Sequence, residues 1–145
     1  MGVVGMEPVV AQSVRYAETC QDCGADLECC GVQVLAHGCV QWDVGASCTA
    51  CGFAIAVCFG DIPSERRAQL LAEHGAATLR VIGPSAKKRV VIMRVLRAEL
   101  GIDLVSAKAA LGSVLNGDHS GTLPEMELLA RKLRASGIAA EAARP

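Results

Sequence analysis

Two short stretches, CQDCG (Cys20 to Gly24) and CTACG (Cys48 to Gly52), constrain this chain more than anything else in it. Each sets two thiols three positions apart around a tight turn. The glycine that follows can take the backbone angles that let peptide N–H groups approach sulfur. Brought together, Cys20, Cys23, Cys48 and Cys51 supply four ligands for one tetrahedral structural Zn2+. Twenty-four residues separate Cys23 from Cys48. Within them VQVLAHGCVQWDV reads as extended chain with a turn near His37-Gly38, and FAIAVCF (Phe53 to Phe59) follows the second pair as a short strand.

The paired CxxCG motifs resemble a zinc ribbon, which implies a β-rich module over residues 1–60 and a metal, without fixing a function. Structural zinc contributes about 10–16 kcal/mol of apparent binding free energy in small finger peptides, enough to order a module of this size. Four thiolates close the coordination shell, which argues against catalysis at the metal. Cys29, Cys30, Cys39 and Cys58 remain. A second site with His37 is disfavoured, because adjacent cysteines chelate one ion poorly and the spacings are irregular. Most of these four are expected to be buried as small apolar side chains, with His37 in a turn and Trp42 in the ribbon's core or at a contact.

All eight cysteines lie between Cys20 and Cys58, so the 145-residue chain divides by composition into a cysteine-rich half and a cysteine-free half. The opening MGVVGMEPVVAQSVRY has no basic leader, no long apolar run and an early acid and proline, unlike a secretory signal. A reducing cytoplasm is therefore expected, where clustered cysteines bind metal more often than they form disulfides. No uninterrupted apolar run approaches the roughly 18 residues that cross a bilayer, so no membrane partner is expected. A formal net charge of −1 and 3% aromatic residues count against general nucleic-acid binding.

After the ribbon, DIPSERRAQLLAEHG predicts a linker helix over residues 61–75, with Ala68, Leu71 and Ala72 on one face. ATLRVIG alternates like a strand. From about Ser85 to Leu100 the chain predicts a helix ended by Gly101. Projected at 100° per residue, it places Ile92, Met93, Leu96 and Leu100 on one arc, with Val95 at the margin. Val90, Arg94 and Arg97 fall opposite, with Val91 beside them, a mixed apolar and basic surface suited to binding. IDLVSAKAALG predicts a short helix capped by Asp103 and ending at Gly112, and SVLNGDHSG a short strand broken by a turn. TLPEMELLARKLRASG opens with Thr122 and Glu125 in capping-box spacing and aligns Leu123, Met126, Leu129, Ala130 and Leu133. IAAEAA closes as an edge strand. The fold class expected is α+β: a β-rich zinc ribbon, then a small β-α-α-β-α-β domain over residues 76–145.

KKRVVIMRVLRAELGIDLVSAKAAL, followed by a capped helix ending ARKLRASGIAAEA, resembles the C-terminal domain of the bacterial ribosomal stalk protein over about residues 77–143. The same fold serves adaptors that deliver substrates to the Clp protease. In the stalk family the exposed side of the first two helices recruits translational GTPases. The resemblance carries that role onto Val90, Val91, Arg94 and Arg97 in the long helix and onto Leu104 and Lys108 in the short one. Asp103 stands at the second glycine of the family's G-L-G-L turn, Ser106 at an acidic position, and arginine replaces lysine twice. The family's helical dimerisation region and hinge are replaced by the cysteine module.

These features imply a non-catalytic zinc-containing adaptor that docks a protein partner, a translational GTPase or ribosome-associated factor, through that face. Two other readings stand beside it. One is a thiol-based redox enzyme or sensor using Cys29 and Cys30 or the CxxC pairs, which lack a thioredoxin-like strand-to-helix setting. The other is a nucleic-acid-binding regulator using the ribbon, with Arg66, Arg67, Lys87, Lys88 and Arg89 as a local phosphate-binding patch.

Overall fold

The computed structural model describes residues 7–145. The first six residues, part of the stretch compared with a secretory leader, lie outside the described residues. The chain divides between His74 and Gly75 into two compact units.

The first unit is an antiparallel meander, β1 (Val10–Thr19), β2 (Asp26–Ala36), β3 (Cys39–Ser47) and β4 (Ala54–Gly60), in the order β1-β2-β3-β4. β2 alternates strictly: Leu27, Cys29, Gly31, Gln33 and Leu35 are buried on one face and the residues between them are not. That period of two fixes the register of both neighbours. The β2–β3 turn carries positive φ at both His37 and Gly38, the backbone signature of a two-residue hairpin. β1 is an element the sequence reading did not mark as a strand.

The expected linker helix is α1 (Ser64–His74), and it belongs to the first unit. Its buried side chain is Leu70, which meets Val14 and Trp42, whereas Ala68 and Ala72 are exposed. Gln69 Nε2 donates to the Arg15 carbonyl at 2.8 Å, and His74 Nε2 lies 2.8 Å from the Ser13 carbonyl, so α1 lies along β1.

The second unit builds a three-stranded sheet of order β6-β5-β7 from β5 (Ala77–Val81), β6 (Ser120–Gly121) and β7 (Ala140–Ala143). A 3-10 turn over Gly83–Lys87 precedes α2 (Arg89–Leu100), which begins later than expected and ends at Gly101 in the left-handed conformation. Ile92 and Leu96 are fully buried, while Leu100, expected on the core arc, is exposed.

α3 (Leu104–Asn116) runs through Gly112 and stops at Gly117, so Ser113 to Asn116, expected in a strand, are helical. Leu111 and Val114, buried on either side of Gly112, hold the helix against the core and outweigh the low helix propensity of one glycine. α4 (Leu123–Ala135) carries the expected capping box and buries all five of its aligned apolar residues. Gly75 and Pro145, at the two ends of this unit, lie side by side: a β-carbon on Gly75 would sit 2.6 Å from Pro145 Cγ.

The molecule is thus a mixed α+β protein with a four-stranded antiparallel sheet. Among the described residues no helix is long and apolar enough to cross a membrane.

Candidate metal centre

The two CxxCG motifs form the β1–β2 and β3–β4 turns, so the meander carries both to the same end of the sheet. Their backbones repeat one geometry. Gly24 N–H donates to the Cys20 carbonyl and Gly52 N–H to the Cys48 carbonyl, both at 2.9 Å; Cys20 N–H donates to Ala25 and Cys48 N–H to Phe53, both at 2.7 Å. Gly24 and Gly52 take φ of 76° and 80°, which other residues adopt only with strain.

The four sulfur atoms of Cys20, Cys23, Cys48 and Cys51 all lie within 4.8 Å of one another. Cys20 Sγ is 3.7 Å from Cys51 Sγ and Cys23 Sγ is 3.5 Å from Cys48 Sγ. A tetrahedral site with metal–sulfur bonds of about 2.3 Å needs sulfurs about 3.8 Å apart. The cluster is therefore positioned to bind one metal ion. No family model matches this chain, and no curated protein or solved structure matches it either.

Electrostatics at the cluster distinguish its members. Backbone N–H groups of Cys51 and Ala50 bring Cys48 down to about 7. The Phe53 N–H favours the Cys51 thiolate as well, but desolvation and the thiols of Cys23, Cys48 and Cys20 outweigh it and push Cys51 up to about 12. Cys23 also rises: the Ala25 N–H lowers it, and the Cys48 thiol and desolvation prevail. Four thiolates so close together repel; a divalent cation among them removes the reason for any to hold a proton.

Cys20 and Cys48 are buried and Cys23 and Cys51 exposed, so one flank of the cluster faces solvent. The buried pair rests on Leu27, Cys29 and Ala46, with Tyr16, Ala25 and Phe53 packed against them.

Of the other cysteines, only Cys29 is buried; Cys30 is half-buried, and Cys39 and Cys58 are exposed, contrary to the burial expected for most of them. β4 explains Cys58: it is an edge strand whose side chains from Ala54 to Phe59 are all exposed. Cys39 opens β3 beside the hairpin turn. Among the described residues, no second metal-ligand group joins these cysteines to His37. Trp42 is in the core, as expected.

The residues expected to face a partner are in the second unit. Val90 is 64% exposed, Leu104 is exposed, and Arg94, Arg97 and Lys108 are exposed as well, while Val91 is half-buried. Val105, which sequence reasoning did not single out, is 77% exposed, the most open large apolar side chain of this unit. Its signal was its position at the second residue of a capped helix, one step from Leu104. Asp103 accepts the Ser106 N–H at 2.7 Å, and that bond, with Arg97 nearby, holds its carboxyl below the usual range. Of the bases grouped as a phosphate patch, Arg66 is already engaged, 4.2 Å from the Tyr16 ring centroid and bonded to Gln69.

Proposed function

We propose that this protein is a non-catalytic, zinc-containing adaptor whose second unit docks a protein partner through the exposed side of α2 and α3. The observation that carries the reading is the sorting of side chains on α2. Ile92 and Leu96 are fully buried, while Val90, Arg94 and Arg97 stay exposed on the same helix. Leu104, Val105 and Lys108 on α3 extend the same chemistry. Apolar groups set among guanidinium and ammonium groups suit a surface that buries a partner's apolar side chain and pairs with its acids.

The resemblance to the ribosomal stalk domain supports a partner of the translational GTPase or ribosome-associated class, and the element order β5-α2-α3-β6-α4-β7 agrees with that resemblance. Asp103 does not argue against docking, because its carboxylate caps α3. In this reading one Zn2+ bound by Cys20, Cys23, Cys48 and Cys51 holds the first unit together. Four thiolate ligands leave it no open position for a substrate.

The test is affinity capture from a bacterial lysate with wild type and with Arg94→Glu plus Arg97→Glu. Charge reversal is expected to remove the captured protein while the metal content stays near one per chain. Capture that is unchanged by both reversals sinks the docking face.

A further inference from the structure

The two edges of the first unit's sheet are treated differently. An edge strand presents unpaired N–H and C=O groups that another strand can take, and proteins protect such edges with charge, proline or a covering element. β1 is protected in these ways. It is preceded by Glu7 and Pro8, carries Arg15 and Glu18, and its Ser13 and Arg15 carbonyls are met by His74 and Gln69 of α1. In the second unit's sheet the edge strand β7 carries Glu141, paired with Arg80, and the other edge strand, β6, is two residues long.

β4 has none of these within the strand, although Asp61 and Pro63 follow it. Ala54–Gly60 contains no charge and no proline, and Ile55, Val57 and Phe59 are 46%, 52% and 80% exposed. Its one irregularity is at the far end. There the register shifts between Trp42 and Val44, Phe59 takes φ 63°, and Phe59 N–H turns inward to Asp43 Oδ1 at 2.9 Å. From Ala54 to Val57 the pairing with β3 keeps a regular register, and among the described residues no strand pairs with the other edge.

We propose that β4 is a self-association edge: two copies of this chain pair β4 with β4 in antiparallel fashion, joining their sheets into one of eight strands. The strand's own chemistry selects a second copy as the occupant. A two-fold axis perpendicular to the sheet keeps each face on its own side, so Ile55 and Val57 of one copy meet the same apolar residues of the other. Ala54 and Ala56, on the opposite face, are small enough to admit close approach. A neutral strand incurs no like-charge repulsion in any register across such an axis, whereas β1 would set Arg15 against its copy in one register and Glu18 against its copy in another.

Ile55 and Val57 also border a groove of about 370 Å³ whose lining includes Leu27, Cys29, Trp42 and Ala46 together with Glu18 and Gln21. The joined sheets extend that groove. With so short a straight segment, the buried area falls below the roughly 1,200–2,000 Å² of stable complexes, so the association is weak and reversible.

The test is sedimentation of the full chain over about 1 to 500 µM, a span that covers micromolar to sub-millimolar dissociation constants. The expected result is a mass rising from 15.0 kDa towards twice that value. Val57→Lys and, separately, Ile55→Lys should hold the protein at the monomer mass while metal content and circular dichroism match wild type. Val105→Lys, on the other unit's exposed patch, should dimerise as wild type does. A wild-type monomer throughout the range overturns the proposal, as does open-ended assembly beyond two copies. So does a dimer that survives both lysine variants, one that is lost on Val105→Lys, or a β4 edge that engages only a different added protein.

Discussion

The indole of Trp42 lies against Gly31: a β-carbon built on Gly31 would come within 2.1 Å of Trp42 Cζ2. Trp42 is 5% exposed and closes the core with Val14 and Leu70, so the ring has little room to retreat. Gly31→Ala should therefore destabilise the first unit by about 1–3 kcal/mol through overpacking. Urea unfolding followed by Trp42 fluorescence would measure it. In a Trp42→Leu background, followed by circular dichroism, the same substitution should cost much less, a coupling a double-mutant cycle reads directly.

Metal removal should unfold the first unit. The pairs Cys20–Cys51 and Cys23–Cys48 are 31 and 25 residues apart in sequence, so one ion bound there would tie both knuckle turns together. A chelator, or Cys51→Ser, is expected to abolish the strand signal of the meander and release about one zinc per chain. Cys30→Ser should leave metal content unchanged, as Cys30 is outside the sulfur cluster. Helical signal from the second unit should survive both treatments.

How much of this was readable beforehand depends on the residue. The knuckles were legible because ligand spacing and a following glycine are local requirements, and α4 because Thr122 and Glu125 mark its start. β1 was not, since its inward positions Val10, Gln12, Val14 and Tyr16 include a polar residue, its outward ones include Ala11 and Ala17, and only Val14 is fully buried. Gly112 misled because tertiary burial of Leu111 and Val114 overrides local propensity. Leu70 was overlooked in favour of Ala68, Leu71 and Ala72 because a sequence does not state which side of a short helix a strand will cover. The exposure of Cys39 and Cys58 depends on which strand becomes the sheet's edge and where the hairpin turns.

The second unit should lose stability in mild acid. His119 is half-buried, and desolvation holds its imidazole below the ordinary value. In the unfolded chain the imidazole titrates at about 6.5 and so takes up its proton first as pH falls. Stability is full above that value and declines as pH drops through it toward the lower folded pKa. Unfolding monitored by helical circular dichroism at several pH values should show that slope, and His119→Gln should flatten it.

Thr122 is fully buried, accepts the Glu125 N–H at 3.3 Å, and donates its own N–H to Glu125 Oε1 at 3.1 Å. Thr122→Ala should cost about 1–2 kcal/mol of the second unit's stability, the upper part of the range for a lost N-cap. Thermal unfolding of the helical signal checks this.

The adjacency of Gly75 and Pro145 makes the second unit a ring with a single cut. Its chain enters and leaves at one place, so a short linker could join those ends and a new cut could open the turn between Gly117 and Asp118. Such a circular permutant would retain every pairing in the order β6-β5-β7. The three strands and three helices are thus held by their faces, and the point at which the chain begins its circuit of them is free to change.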